Sequence, residues 1–134
     1  MCWFGRLFSG QQTIERPSPD IRIKPEQVHI VDGVLQVTGY QDCFIAAIAP
    51  TNSMEPGIDD GMYVVLQKRP YTDLIVGDII WYEQPEFKAI HRITRIGLDE
   101  SGWFAETKGD NNSRGDTPRV RSDHIKGVWR ATID

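Results

Sequence analysis

Short apolar segments rich in β-branched and aromatic residues recur roughly every ten residues along this chain, each closed by glycine, proline or aspartate. No long stretch carries a 3.6-residue period, so the pattern predicts a mainly β domain. Ile21 and Ile23, then Val28 and Ile30, alternate with polar residues and predict short strands interrupted at Pro25. Asp32-Gly33 between two runs of branched residues is a two-residue turn signal, so 28–31 and 34–40 read as a hairpin. Such a hairpin would either add strands to the core or offer an edge to a partner. Residues 44–49 are apolar without alternation, the pattern of a strand buried on both faces. Further strands are predicted over 62–66, over 74–82 with Gly77-Asp78 as its leading turn, and over 88–96, 102–107 and 125–133.

At 134 residues the chain can bury one core but not two. Residues 1–20 read as an apolar tip and a linker, and 21–134 as the β domain. A net charge of −4 excludes the basic face that a nucleic-acid binder needs. Arg114, Arg119, Arg121 and Lys126 make the last third locally basic, which reads as ion-paired surface. Cys2 and Cys43 lack metal-ligand spacing and no Cys/His quartet exists, so neither a metal nor another cofactor is expected. A disulfide between them is one reading and two free thiols in a reducing compartment the simpler one, and Cys43, inside an apolar run, reads as a small buried hydrophobe.

No stretch approaches the ~20 apolar residues that span a bilayer, which points to a cytoplasmic or otherwise soluble protein. Trp3, Phe4, Leu7 and Phe8 could lie in a membrane interface or pack on protein. Gln11-Gln12 and Glu15 follow too soon for that tip to be a signal peptide.

The chemistry gathers at Thr51-Asn52-Ser53-Met54-Glu55-Pro56, where the apolar run ends and Pro56 forces the chain to bend. A serine at a sharp exit from a strand is placed as hydrolases place a nucleophile, although beside a proline it is by itself more often a turn former. Downstream come Val76-Gly77-Asp78-Ile79-Ile80, Ala89-Ile90-His91-Arg92-Ile93 and Thr107-Lys108-Gly109-Asp110-Asn111-Asn112, with Asp116 beyond. In this order the four motifs resemble the signal peptidase I family over roughly residues 44–130. The resemblance is to the branch of the endoplasmic reticulum and of archaea, which has histidine where most bacterial members carry lysine.

That resemblance implies a coiled, partly closed β-sheet of the signal peptidase/LexA-like type. It implies Ser53 as nucleophile and His91 as the base, a role suited to a side chain whose ordinary pKa lies near neutrality. The oxyanion donors would be the Thr51 hydroxyl, where many relatives have serine, and the Ser53 N–H. Asn52 stands where relatives usually have glycine. Two aspartates flank the loop that could orient His91; the motif match assigns Asp116 to catalysis and leaves Asp110 to brace the loop. Asp78 would hold its turn, Met54 would support the nucleophile, and Glu55 would lie near the cleft mouth. His29 and His124 have no such setting and read as surface or packing residues.

The implied activity is that of a serine endopeptidase cutting after small residues in Ala-X-Ala spacing, with the substrate bound as an added strand. The absence of a membrane span departs from the family's cellular members, which are anchored. Two other readings stand beside it. One is self-cleavage after Ala47-Ile48-Ala49, where Pro50 would follow the cut; the other is a non-catalytic structural or assembly protein that keeps the peptidase fold.

Overall fold

In the computed structural model, which describes residues 14–19 and 23–134, the chain is mainly β. Nine strands appear in order: β1 Val28–Val31, β2 Val34–Val37, β3 Cys43–Ala47, β4 Tyr63–Gln67, β5 Ile79–Gln84, β6 Phe87–Asp99, β7 Gly102–Lys108, β8 Val120–Arg121 and β9 Ile125–Ile133. Seven of them form one antiparallel sheet in the order β3-β4-β9-β5-β6-β7-β8. Its two end strands do not pair with each other, so the sheet is open. The C-terminal strand β9 is inserted between β4 and β5 and joins the two halves. The predicted linker is irregular where it is described, and Ser18 presses on Gly77: a Cβ there would meet the Ser18 carbonyl oxygen at 2.7 Å, and φ is +102°.

Apolar residues pack on both faces of the sheet. Consecutive Ile79 and Ile80 enter different clusters, one with Met54, Ile58, Val64 and Leu66, the other with Tyr82, Ile93, Ala105, Val120 and Val128. Each valine, leucine, isoleucine or methionine among them contributes about 1.5–3 kcal/mol by leaving water. The predicted strand over 74–82 starts only at Ile79, because Gly77 and Asp78 turn the chain. The Ile75 N–H donates to Asp78 Oδ2 at 3.0 Å, and the Asp78 N–H donates to the Ile75 carbonyl.

The structure departs from four expectations. The hairpin forms around Asp32 (φ +51°) and Gly33 (φ +78°), but it makes its own two-stranded sheet and adds nothing to the core. Its cross-strand pairs Val28–Val37 and Ile30–Leu35 line up an apolar face that stays exposed. The strand over 44–49 is not buried on both faces. As β3 it is the end strand, Phe44 and Ala46 are half-buried, and Cys43, Ile45 and Ala47 are exposed. Cys43 is thus an exposed free thiol rather than a buried hydrophobe. The short strand predicted at Ile23 is absent; Pro25–Gln27 instead form a single 3-10 turn. Ile21, Cys2 and the tip residues Trp3, Phe4, Leu7 and Phe8 lie outside the described residues. Among the described residues no helix is long and apolar enough to cross a membrane.

Candidate active site

Three separate parts of the chain converge on one site. Ser53 sits in the connection between β3 and β4, His91 on β6, and Asp116 in the loop between β7 and β8. The turn that carries Ser53 depends on Asn52, whose φ of +59° is the left-handed conformation. Asparagine tolerates that region better than other residues with a Cβ. The loop 109–116 is sewn to that turn. Asn111 donates from its N–H to the Ser53 carbonyl and from Nδ2 to the Asn52 carbonyl, both at 2.9 Å. Gly109 permits the approach, since a Cβ there would meet the Ser53 carbonyl oxygen at 2.6 Å.

Ser53 Oγ lies 3.0 Å from His91 Nε2, and His91 Nδ1 lies 2.6 Å from Asp116 Oδ2. The ring is buried at 4% exposure. An ionised carboxylate only accepts, so Nδ1 carries the hydrogen and Nε2 is left to receive the Ser53 proton. Burial would push the Asp116 carboxyl up, but hydrogen bonds from His91, Thr107 and Tyr82 outweigh it and hold the group below the ordinary carboxylate range. The Thr51 hydroxyl stands 3.1 Å from Ser53 Oγ, within reach of an anion forming there.

The supporting residues divide. Met54, next to Ser53, is buried, and its sulfur accepts the Asp110 N–H at 3.3 Å. Asp78 is 3% exposed and holds its turn as expected. Asp110 is kept from His91 by Arg92, which takes both carboxylate oxygens at 2.8 Å and also binds the Gly77 carbonyl. Its brace is therefore an ion pair to the neighbouring strand. Glu55 is half-buried and does not line the cleft. Lys88 lines the cleft and is exposed, and it is not part of the hydrogen-bonded line at Ser53. His29 bonds Thr38 on the hairpin, and His124 accepts the Arg121 N–H. Arg119 and Arg121 are ion-paired with Asp99, as the basic tract suggests.

Two residues at the site escaped sequence reasoning. Tyr82 Oη and Thr107 Oγ1 both bond the Asp116 oxygen that faces His91, at 2.9 and 2.7 Å. Only strand register could have found them. Ile80 pairs with His91 and Ile93 with Thr107, so Tyr82, His91 and Thr107 share one face.

Beside the triad runs an open cleft of ≈870 Å³, walled by residues 44–49 on one side and 87–91 on the other, with Ser53, His91 and Asp116 in its lining. No protein-family model, curated protein or solved structure matches this chain.

Proposed function

We propose that this chain is a signal-peptidase-like serine endopeptidase, cutting a peptide bound in extended form along β3 after small residues in Ala-X-Ala spacing. The observation that carries the reading is the continuous hydrogen-bonded line from Ser53 Oγ through His91 to Asp116, assembled from three separate segments. Nucleophile–base and base–orienter contacts of this length are what acyl transfer requires. β3 ends the sheet and its residues wall the cleft, so its free edge is a template for one more strand.

On this reading His91 Nε2 takes the Ser53 proton as Oγ attacks the scissile carbonyl carbon. The oxyanion that forms is met by the Ser53 N–H and the Thr51 hydroxyl. His91 then returns the proton to the leaving amine nitrogen, and the C–N bond breaks to give an acyl-Ser53 ester. Water, deprotonated by His91, releases the acid and regenerates Ser53. Throughout, Asp116 stays ionised and stabilises the imidazolium.

Digestion of an Ala-X-Ala peptide by wild type beside Ser53→Ala, with intact masses of both proteins, tests the proposal. Cleavage by wild type alone supports it. Equal cleavage by both, or none by either, overturns it. A mass loss confined to wild type, with the new terminus at Pro50, would turn the same chemistry onto the chain itself.

A further inference from the structure

Asp116 Oδ2 accepts not one donor but three: His91 Nδ1 at 2.6 Å, Thr107 Oγ1 at 2.7 Å and Tyr82 Oη at 2.9 Å. The two hydroxyls are 3.1 Å apart and lie in the dry interior, Tyr82 at 0% exposure and Thr107 at 1%. A tyrosine and a threonine with their oxygens buried must find partners, and apolar residues of similar shape would pack there without that demand. What the hydroxyls add is therefore specific to the carboxylate.

We infer that Tyr82 and Thr107 are positioning residues that fix the Asp116 carboxylate toward His91 Nδ1 and temper its charge, so that His91 keeps the tautomer that can take a proton from Ser53. The inference rests on the proposed peptidase reading, and it deepens that reading by two residues. Two hydroxyl donors on the oxygen that faces the ring restrict the rotation of the carboxylate and keep that oxygen aimed at Nδ1. Donation from two hydroxyls spreads the negative charge, so the carboxylate neither draws the proton off Nδ1 nor grips the imidazolium too tightly to give a proton to the leaving group. Burial, reinforced by the charge of Asp116, pushes the Tyr82 phenol above its ordinary value, so it stays a donor at every working pH. Neither residue touches the cleft, whose lining includes His91 and Asp116 but not Tyr82 or Thr107.

Tyr82→Phe and Thr107→Val each remove one donor and keep the volume, and Thr107→Ser restores the hydroxyl. Losing a hydrogen bond to a charged group should lower kcat roughly 10- to 100-fold with KM unchanged. With less donation the carboxylate holds the imidazolium more strongly, so the acid limb of kcat/KM should move to higher pH in both variants. Thr107→Ser should return the wild-type limb. A purely structural role would lower Tm and leave the limb in place, which overturns the inference. The second measurement needs no turnover: the His91 ring resonances are titrated by NMR in a Ser53→Ala background, with and without Tyr82→Phe. An upward-shifted His91 titration and an altered Nδ1 proton resonance support the inference. Identical spectra and titrations overturn it. If wild type cleaves no peptide yet the titration shifts, the peptidase reading fails while the positioning of Asp116 stands.

Discussion

The loop between β7 and β8 carries two aspartates six positions apart, and their surroundings differ in kind. Asp110 lies at the surface, gripped through both oxygens by Arg92. Asp116 turns inward, with a side chain 10% exposed, and offers one oxygen to an imidazole and two hydroxyls. A fixed cation beside Asp110 satisfies its charge completely and leaves no partner that changes protonation. The donors around Asp116 are neutral apart from the titratable ring, so its charge is free to act on His91. The same side chain is thus an anchor at one end of the loop and, on the proposed reading, a working group at the other, and the difference lies in which donors the fold supplies.

Asparagine in place of Asp116 should break that comparison hardest. It keeps the shape but presents an amide to Nδ1, and losses in such triads reach about 10⁴ in turnover. Rates of peptide cleavage, set beside a thermal melt showing a folded variant, check it. The same pair of proteins reads the charge through pH. Because the fold holds Asp116 below the ordinary carboxylate value, its ionisation stabilises the protein above about pH 4 and ceases to do so as pH falls through the folded-state value. The wild-type advantage in Tm over Asp116→Asn should therefore shrink in acid.

Gly109→Ala attacks the seam that holds both aspartates. The new Cβ would meet the Ser53 carbonyl oxygen at 2.6 Å and Asn112 Nδ2 at 2.7 Å, so the loop must lift from the nucleophile turn. A cost of about 1–3 kcal/mol in denaturant unfolding is expected, together with slower turnover. On the other side of the seam, Asn52→Ala should cost about 1–2 kcal/mol because alanine tolerates the left-handed backbone less well than asparagine. Asn52→Gly should unfold at close to wild-type denaturant concentration. Smallest of all is Asp110→Asn. Its ion pair with Arg92 is partly exposed, 27% and 36% at the two side chains, and is worth about 0.2–1 kcal/mol. Turnover should stay within a few-fold of wild type while Tm falls by a few degrees. Loss of activity in a well-folded Asp110→Asn protein, with Asp116→Asn still active, would exchange the roles of the two ends.

The residues that make this comparison were readable in the sequence to different depths. Ser53, His91 and Asp116 stand in short ordered motifs whose spacing survives in one dimension, and the structure brings them within hydrogen-bond distance. Tyr82 and Thr107 sit in strands whose apolar pattern says only that they are buried; their meeting depends on the register of β5, β6 and β7, which no local signal encodes. Gly115, just before Asp116, supplies no special backbone freedom for aiming it. Its φ is outside the left-handed region and a Cβ there would sit 3.5 Å from the Thr107 carbonyl, an ordinary contact. The aim comes instead from the Asp116 N–H bonding that carbonyl at 2.8 Å. Strand existence followed from branched residues and turn signals, and β9 matches its predicted bounds. What each strand faces did not follow: the unbroken apolar run of β3 belongs to a cleft wall at the sheet edge, and the alternation of the hairpin marks an apolar face with nothing packed on it among the described residues.

On the proposed reading the line from Asp116 through His91 activates Ser53 as a nucleophile, and a fluorophosphonate reads this without knowledge of the substrate. Incubation with wild type, His91→Ala, Asp116→Asn and Ser53→Ala, followed by intact mass and peptide mapping, gives the measurement. A single phosphonyl adduct on Ser53 of wild type, strongly slowed in the His91 and Asp116 variants and absent from Ser53→Ala, is the predicted result. An unlabelled wild type, under conditions in which a serine hydrolase control reacts fully, or an adduct as rapid in His91→Ala as in wild type, would contradict it.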